Sequence, residues 1–140
     1  MKRLATAFAL VLALTTPALA APTVHKEVVG TWCVISNDET RKETTYSEFN
    51  GKCENPLDLL IIERGNYRGS EHTCHITAVK TWFDKNIIRS TKEMGVPVSR
   101  VISNCEGLDR CTWREQITLY VEKGTLVIKN GRSWGEKGCQ

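Results

Sequence analysis

The amino-acid sequence predicts an all-β fold, a small antiparallel barrel or meander of about eight short strands stapled by disulfides. Short apolar segments separated by glycine and asparagine recur along the chain, which is typical of a sandwich or barrel. No segment keeps the 3.6-residue apolar period of an amphipathic helix over three turns. The six cysteines are an even number, as a disulfide framework requires.

The N-terminal segment has the three parts of a secretory signal peptide. Lys2 and Arg3 form a basic start, residues 4–15 are apolar and uncharged, and an A-x-A cleavage pattern ends at Ala20. The apolar run is well short of the roughly 20 residues that a membrane-spanning helix needs. We therefore expect a signal peptide over residues 1–20, a single β domain over residues 21–140, no membrane span, and a periplasmic or secreted location.

Cleavage changes the charge of the mature chain. Removing Lys2 and Arg3 from the 19 basic residues leaves 17 against 16 acidic ones, a net charge of +1. No basic cluster is long enough to follow a phosphate backbone. The composition therefore argues against nucleic acid as a partner.

The strands of the predicted domain follow one another with short turns between them. Polar residues 36–52 predict a long loop, and the nearly continuous apolar residues 57–63 predict a strand. Residues 74–83 and 98–104 are further strand candidates. In the first of these, Trp82 and its neighbour Phe83 would point to opposite faces, so at least one is expected at the surface.

The best-defined element is a C-terminal hairpin. Apolar and polar residues alternate over residues 113–122, and Lys123-Gly124 supplies a two-residue turn. With Glu122 opposite Thr125, an unbroken register predicts cross-strand pairs that match in chemistry. The pairs are Val121 with Leu126, Leu119 with Ile128, Ile117 with Asn130, Glu115 with Arg132, and Trp113 with Trp134.

Export together with the even cysteine count predicts three disulfides. The hairpin register brings Cys111 within a short loop of Cys139, which favours that pair. The remaining pairs would be Cys33–Cys53 and Cys74–Cys105. A Cys105–Cys111 bridge around a tight loop stays open as an alternative.

The start of the first predicted strand, Gly30-Thr31-Trp32-Cys33, carries a G-x-W pattern. It resembles the signature of calycins, the lipocalin-like barrels, and of small bacterial inhibitors of secreted metalloproteases. In these families the tryptophan closes one end of the barrel against an arginine of the last strand, which implies a contact between Trp32 and Arg132. With residues 67–71 and 105–107, the G-T-W-C start also looks like small exported bacterial proteins of uncharacterised activity.

The tryptophans and the charge pair of the hairpin are the candidate binding residues. In the predicted register Glu115 pairs with Arg132 and Trp113 pairs with Trp134, so these four side chains would share one face. They could form a mouth for a ligand or partner, because interfaces favour tryptophan and arginine. Alternatively they plug the barrel together with Trp32, which we favour because amphipathic aromatic residues seal the edges of cores.

Metal and catalytic chemistry find little support in the sequence. His72, Cys74 and His75 are the only metal-ligand cluster, but in a strand His75 points away from the other two. A disulfide would also remove the Cys74 thiolate. No nucleophile has a motif that supplies a base, and the acidic residues are scattered. We therefore assign no metal ligand, cofactor or catalytic residue.

The function expected from these observations is non-enzymatic binding of a secreted or periplasmic protein. The sharper hypothesis is an inhibitor of a secreted hydrolase, such as a protease or a lysozyme. One alternative is a small secreted hydrolase that uses His72 or His75 with scattered acids. The other is a structural envelope protein without a ligand.

Overall fold

Eight antiparallel strands close into a barrel in the computed structural model, which describes residues 20–135. The all-β class and the barrel predicted from the sequence are thereby confirmed. The helical elements of the described residues are three short 3-10 turns, Lys26–Val28, Pro56–Asp58 and Leu108–Arg110. The strands are β1 (Gly30–Asp38), β2 (Glu43–Glu48), β3 (Leu59–Ile62), β4 (Asn66–Arg68), β5 (His72–Ile88), β6 (Met94–Gly107), β7 (Thr112–Glu122) and β8 (Thr125–Gly135).

The strand order around the barrel is β1-β2-β8-β7-β6-β5-β4-β3. Consecutive strands pair with each other from β3 through β8, whereas β1 lies between β2 and β3 and β2 closes the barrel against β8. The connection over residues 49–58 must therefore pass from one side of β1 to the other. A disulfide joins Cys53 of this connection to Cys33 of β1, so it fastens the crossover to the strand that it passes.

The position of β2 shows that the loop predicted over residues 36–52 is wrong. β1 continues to Asp38, and β2 pairs with both β1 and β8. The Asp38 carboxylate closes the turn between them by accepting hydrogen bonds from the backbone N–H (3.0 Å) and the hydroxyl (2.6 Å) of Thr40. The segment looked like a loop because its threonines are polar, although threonine favours strands.

The barrel interior is filled by apolar side chains from the strands and from the N-terminal segment. Val24 and Val28 precede β1 and are buried in this core. The indole N–H of Trp32, which is 6% exposed, donates to the Val28 carbonyl at 3.0 Å. Other core members are Leu60, Ile62, Ile76, Val101, Ile117, Leu119, Leu126 and Ile128.

A second apolar cluster lies on the outer face of the sheet. Tyr120 and Val127 belong to it, and they directly follow the core residues Leu119 and Leu126. Because successive side chains of a strand point to opposite faces, this cluster is outside the barrel. Its other members are Val96 and Val98, with Trp82 and Ile87 packed against them.

The C-terminal hairpin follows the predicted register only over its first half. Glu122 pairs with Thr125, and the pairing continues in step as far as Ile117 with Asn130. One residue of β7, Gln116, then faces both Gly131 and Arg132 of β8, which is a β-bulge.

Beyond the bulge the predicted pairs are wrong. Glu115 pairs with Ser133 instead of Arg132, and Trp113 pairs with Gly135 instead of Trp134. A slip of one residue turns every later side chain to the other face. The indole of Trp134 is therefore on the outer face of the barrel.

The disulfides Cys33–Cys53 and Cys74–Cys105 are confirmed. Cys74 and Cys105 are direct cross-strand partners on β5 and β6, and their bond excludes the Cys105–Cys111 alternative. Cys111 is also disulfide-bonded. Its predicted partner, Cys139, lies outside the described residues.

Two further predictions concern the signal peptide and the absence of a membrane span. The predicted signal peptide lies outside the described residues, apart from Ala20. Among residues 20–135, no helix has the length and apolar character to cross a bilayer.

Gly131→Ala tests the bulge. An added Cβ at this position would lie 2.8 Å from the Gln116 carbonyl oxygen, a backbone atom that cannot swing aside. We expect the free energy of unfolding to fall by about 1–3 kcal/mol, as overpacking does. Urea denaturation of the oxidised protein measures this.

Gly65→Ala is the matched control, because a Cβ there meets nothing within 4 Å. Its free energy of unfolding should stay within about 0.5 kcal/mol of the wild type. If Gly131→Ala behaved like this control, the close backbone approach at the bulge would be wrong.

Candidate functional site

The structure divides the five predicted binding residues between the inside and the outside of the barrel. Trp32 is inside the barrel, while Trp113 and Glu115 point inward from β7. Trp134 and Arg132 are exposed on β8. The basic groups stacked on rings in the described part of the chain are Arg100, Arg114 and Lys129, so the predicted contact between Arg132 and Trp32 is wrong.

Glu115 is the centre of a polar network at one end of the core. The Tyr67 hydroxyl donates to its Oε1 at 2.6 Å, and the Trp113 indole N–H donates to its Oε2 at 3.3 Å. The Sγ atoms of Cys74 and Cys105 lie 3.4 Å from Oε1. Because a disulfide sulfur carries no hydrogen, these are van der Waals contacts.

The network around Glu115 stabilises the fold and offers no metal-binding thiolate. The two sulfurs and the Glu115 carboxylate are close enough to one another to hold a metal ion, but the sulfurs are bonded to each other and cannot serve as thiolates. Burial, and then the charge of Glu115, raises the pKa of Tyr67 far above its ordinary value of 10.0. Tyr67 is only 4% exposed. It therefore stays a neutral donor that fixes the carboxylate in place.

The outer face of β5–β8 carries a groove of about 570 Å³. Its side chains come from cross-strand neighbours, so the groove runs across the strands. One row is His75, Asn104, Arg114 and Trp134, and the row beside it is Thr73, Glu106 and Thr112.

Trp134 and Arg114 form the distinctive pair of this groove. The Trp134 side chain is 41% exposed, a large apolar surface for a solvent-facing residue. The Arg114 guanidinium carbon lies 5.7 Å from the centre of the Trp134 ring, within the range of a cation–π contact. The pair thus combines an accessible indole with a positive charge held beside it, which is the composition of binding hot spots.

The histidine and cysteine cluster of β5 is divided between the two faces. His72 pairs with Gly107, and its ring lies 6.0 Å from the ring of Trp113. Cys74 is bonded inside the barrel, whereas His75 is exposed in the outer groove. The three side chains do not converge, as the alternation of a strand predicts.

Sequence reasoning missed Arg114 and Tyr67, and it named His75 only in the metal-ligand cluster and in the hydrolase alternative. It took Arg114 as the polar partner in an alternating strand, which is correct but gives no reason to single it out. The one available signal was Gly131 inside a strand, because an isolated glycine there suggests a bulge. A bulge would have moved Trp134 next to Arg114.

Comparisons with protein-family models, curated proteins and solved structures return no match for this chain. The likeness of the G-x-W start to calycins and to protease inhibitors therefore stays a prediction. What the site does has to be inferred from its own geometry.

The raised pKa values of the three tyrosines predict how the free energy of unfolding depends on pH. Burial is the first cause that raises the pKa values of Tyr46, Tyr67 and Tyr120, in the last case to about 12. Because each folded pKa exceeds the ordinary 10.0, the unfolded chain loses these protons first as pH rises. The contribution to stability is thus complete below about pH 10 and is lost progressively above it.

Alkaline titration followed by phenolate absorbance checks this. Phenolate should form together with unfolding, and Tyr67→Phe should make the loss of stability above pH 10.0 less steep. Gradual ionisation of all the tyrosines at the ordinary pKa in the folded protein would contradict the buried network.

Proposed function

We propose that this chain is an exported, non-enzymatic binding protein that docks a secreted or periplasmic protein through its outer groove. The observation that carries the proposal is the Trp134–Arg114 pair, an exposed indole with a guanidinium beside it. Tryptophan and arginine are enriched among the residues that dominate interface energies. Export rests on the predicted signal peptide.

The filled interior supports an outer contact surface. The buried core residues of the barrel are 0–6% exposed, and Val24 and Val28 of the N-terminal segment pack among them. Small barrels of this size are filled by their own side chains or hold one small ligand. Because the interior is occupied, we place the partner on the outside.

Rigidity also favours a docking role. The groove lies on four directly paired strands, and the Cys74–Cys105 bridge links two of them beneath its surface. A preorganised surface loses little conformational entropy when it binds. A standard interface buries about 800 Å² on each partner, so the contact would extend beyond the groove along the same face.

The sharper form of the proposal is inhibition of a secreted hydrolase, a protease or a lysozyme. A stapled barrel resists unfolding and presents fixed side chains to the rim of an active site, so it would block access without being a substrate. The G-x-W start adds a resemblance to small inhibitors of secreted metalloproteases.

The oxidised mature protein, residues 21–140, should inhibit at least one enzyme in a panel of secreted proteases and lysozymes at stoichiometric amounts. Trp134→Ala should weaken inhibition by about 30-fold or more, the loss expected for a hot-spot tryptophan. Phe49→Ala is the control, because Phe49 is similarly exposed (38%) but lies after β2.

Two results would contradict this account. Absence of inhibition at a large excess would remove the inhibitor version. Equal effects of Trp134→Ala and Phe49→Ala would remove the groove as the contact. Hydrolysis of a generic substrate that disappears in the His72→Ala/His75→Ala variant would favour the alternative of a small hydrolase.

A further inference from the structure

A row of three cations crosses the outer face of the barrel, away from the groove. Lys80 of β5 is the direct cross-strand partner of Arg100 of β6. Arg100 pairs with Thr118 of β7, and Thr118 pairs with Lys129 of β8. With neighbouring strands about 4.8 Å apart, the row spans about 14 Å across four strands.

The row is unfavourable for the isolated fold. Like charges directly opposite each other on adjacent strands are destabilising, and Lys80 faces Arg100. Neither forms an ion pair with any residue between 20 and 135. Lys129 forms an ion pair of 3.8 Å with the half-buried Glu43 of β2, its direct cross-strand partner. A glutamate in place of Lys80 or of Arg100 would stabilise the sheet, so the pairing of two cations suggests that an external anion binds there.

Glu43 of β2 is the direct cross-strand partner of Lys129 and lies at that end of the row, but the other acidic residues of the same face stand apart from it. Asp84 and Glu122 each lie four residues further along their strands than Lys80 and Thr118. The outer apolar cluster lies between them and the cations. At the opposite end, Glu106 belongs to the groove. The charges of Lys80 and Arg100 are therefore locally uncompensated, although the mature chain is almost neutral.

Two of the cations are held in place by aromatic rings. The Arg100 guanidinium carbon lies 5.3 Å from the centre of the Trp82 ring, and the Lys129 Nζ lies 5.7 Å from that of Tyr120. Both rings pack in the outer apolar cluster, so they do not move with the charged groups. An arginine positioned in this way keeps its N–H groups for bidentate contacts with a sulfate, phosphate or carboxylate.

We propose that the row of Lys80, Arg100 and Lys129 binds an acidic polysaccharide. A sugar ring is about as long as the spacing between adjacent strands, so anionic groups on successive sugars match cations one or two strands apart. The neutral side chains of Thr118 and, two residues earlier, Gln116 lie on the same face and suit sugar hydroxyls. Nucleic acid is disfavoured because the cations end after three and the net charge is near zero.

This site is separate from the proposed docking groove. Thr118 follows Arg114 by four residues on β7, which corresponds to about 14 Å along the strand. The polysaccharide site would hold the protein at an acidic surface of the cell envelope and leave Trp134 free to meet a partner. Either proposal can fail without the other.

Titration calorimetry of the oxidised mature protein with heparin and with polygalacturonate tests the site. We expect both polysaccharides to bind, with an affinity that falls as salt rises. Lys80→Glu should lower the affinity for both polysaccharides by about tenfold or more. It should also raise the melting temperature, because it replaces a like-charge pair with Arg100 by an opposite-charge pair. Trp134→Ala should leave the affinity unchanged.

Lys52→Glu is the matched control, since Lys52 is an exposed lysine on the connection between β2 and β3. Its affinity for both polysaccharides should change by less than about threefold. Equal losses for the two variants would overturn the proposal, because the binding would then depend on net charge alone. Tighter binding of a DNA duplex or of polyglutamate than of either polysaccharide would also overturn it.

Discussion

The close approach of Gly131 to the backbone of Gln116 determines where the candidate surface lies. Two residues of β8 face one residue of β7 at this point, and the register beyond it shifts by one. An unbroken hairpin would direct both Trp113 and Trp134 into the barrel. The bulge instead keeps Trp113 in the core and turns Trp134 outward beside Arg114. One glycine therefore separates a structural tryptophan from an exposed one.

The inner face of the same strands supplies the rigidity that the outer face requires. A row of inward-facing cross-strand partners runs from β4 to β7 through Tyr67, Cys74, Cys105 and Trp113. Glu115 accepts hydrogen bonds from the Tyr67 hydroxyl and the Trp113 indole N–H. A half-buried carboxylate is stable only where donors replace its lost hydration. These contacts, with the buried disulfide, hold the strands whose outer side chains form the groove and the row of cations.

Local patterns were sufficient for the barrel class and for the hairpin pairs near the turn, because alternation acts over a few residues. The two confirmed disulfides were predicted only as the pairs that remain beside Cys111–Cys139, since they join cysteines 20 and 31 residues apart. They were insufficient for β2, whose threonines resemble a loop until β1 and β8 pair with it. Neither surface could be predicted. Lys80 and Arg100 become neighbours only through a register set across the whole β5–β6 hairpin. Likewise, the Trp134–Arg114 pair depends on a bulge that a single glycine in a strand only suggests.

Nuclear Overhauser effects between the strands of the hairpin test this account most directly. In an antiparallel sheet, Hα protons of directly opposed non-hydrogen-bonded residues lie close together. The bulged register predicts contacts of Trp134 with Arg114 and of Ser133 with Glu115, one pair through Hα protons and the adjacent hydrogen-bonded pair through amide protons. Contacts of Trp134 with Trp113 and of Arg132 with Glu115 would instead show an unbroken hairpin. Trp134 would then face the core, and the outer groove would lose the side chain on which its function rests.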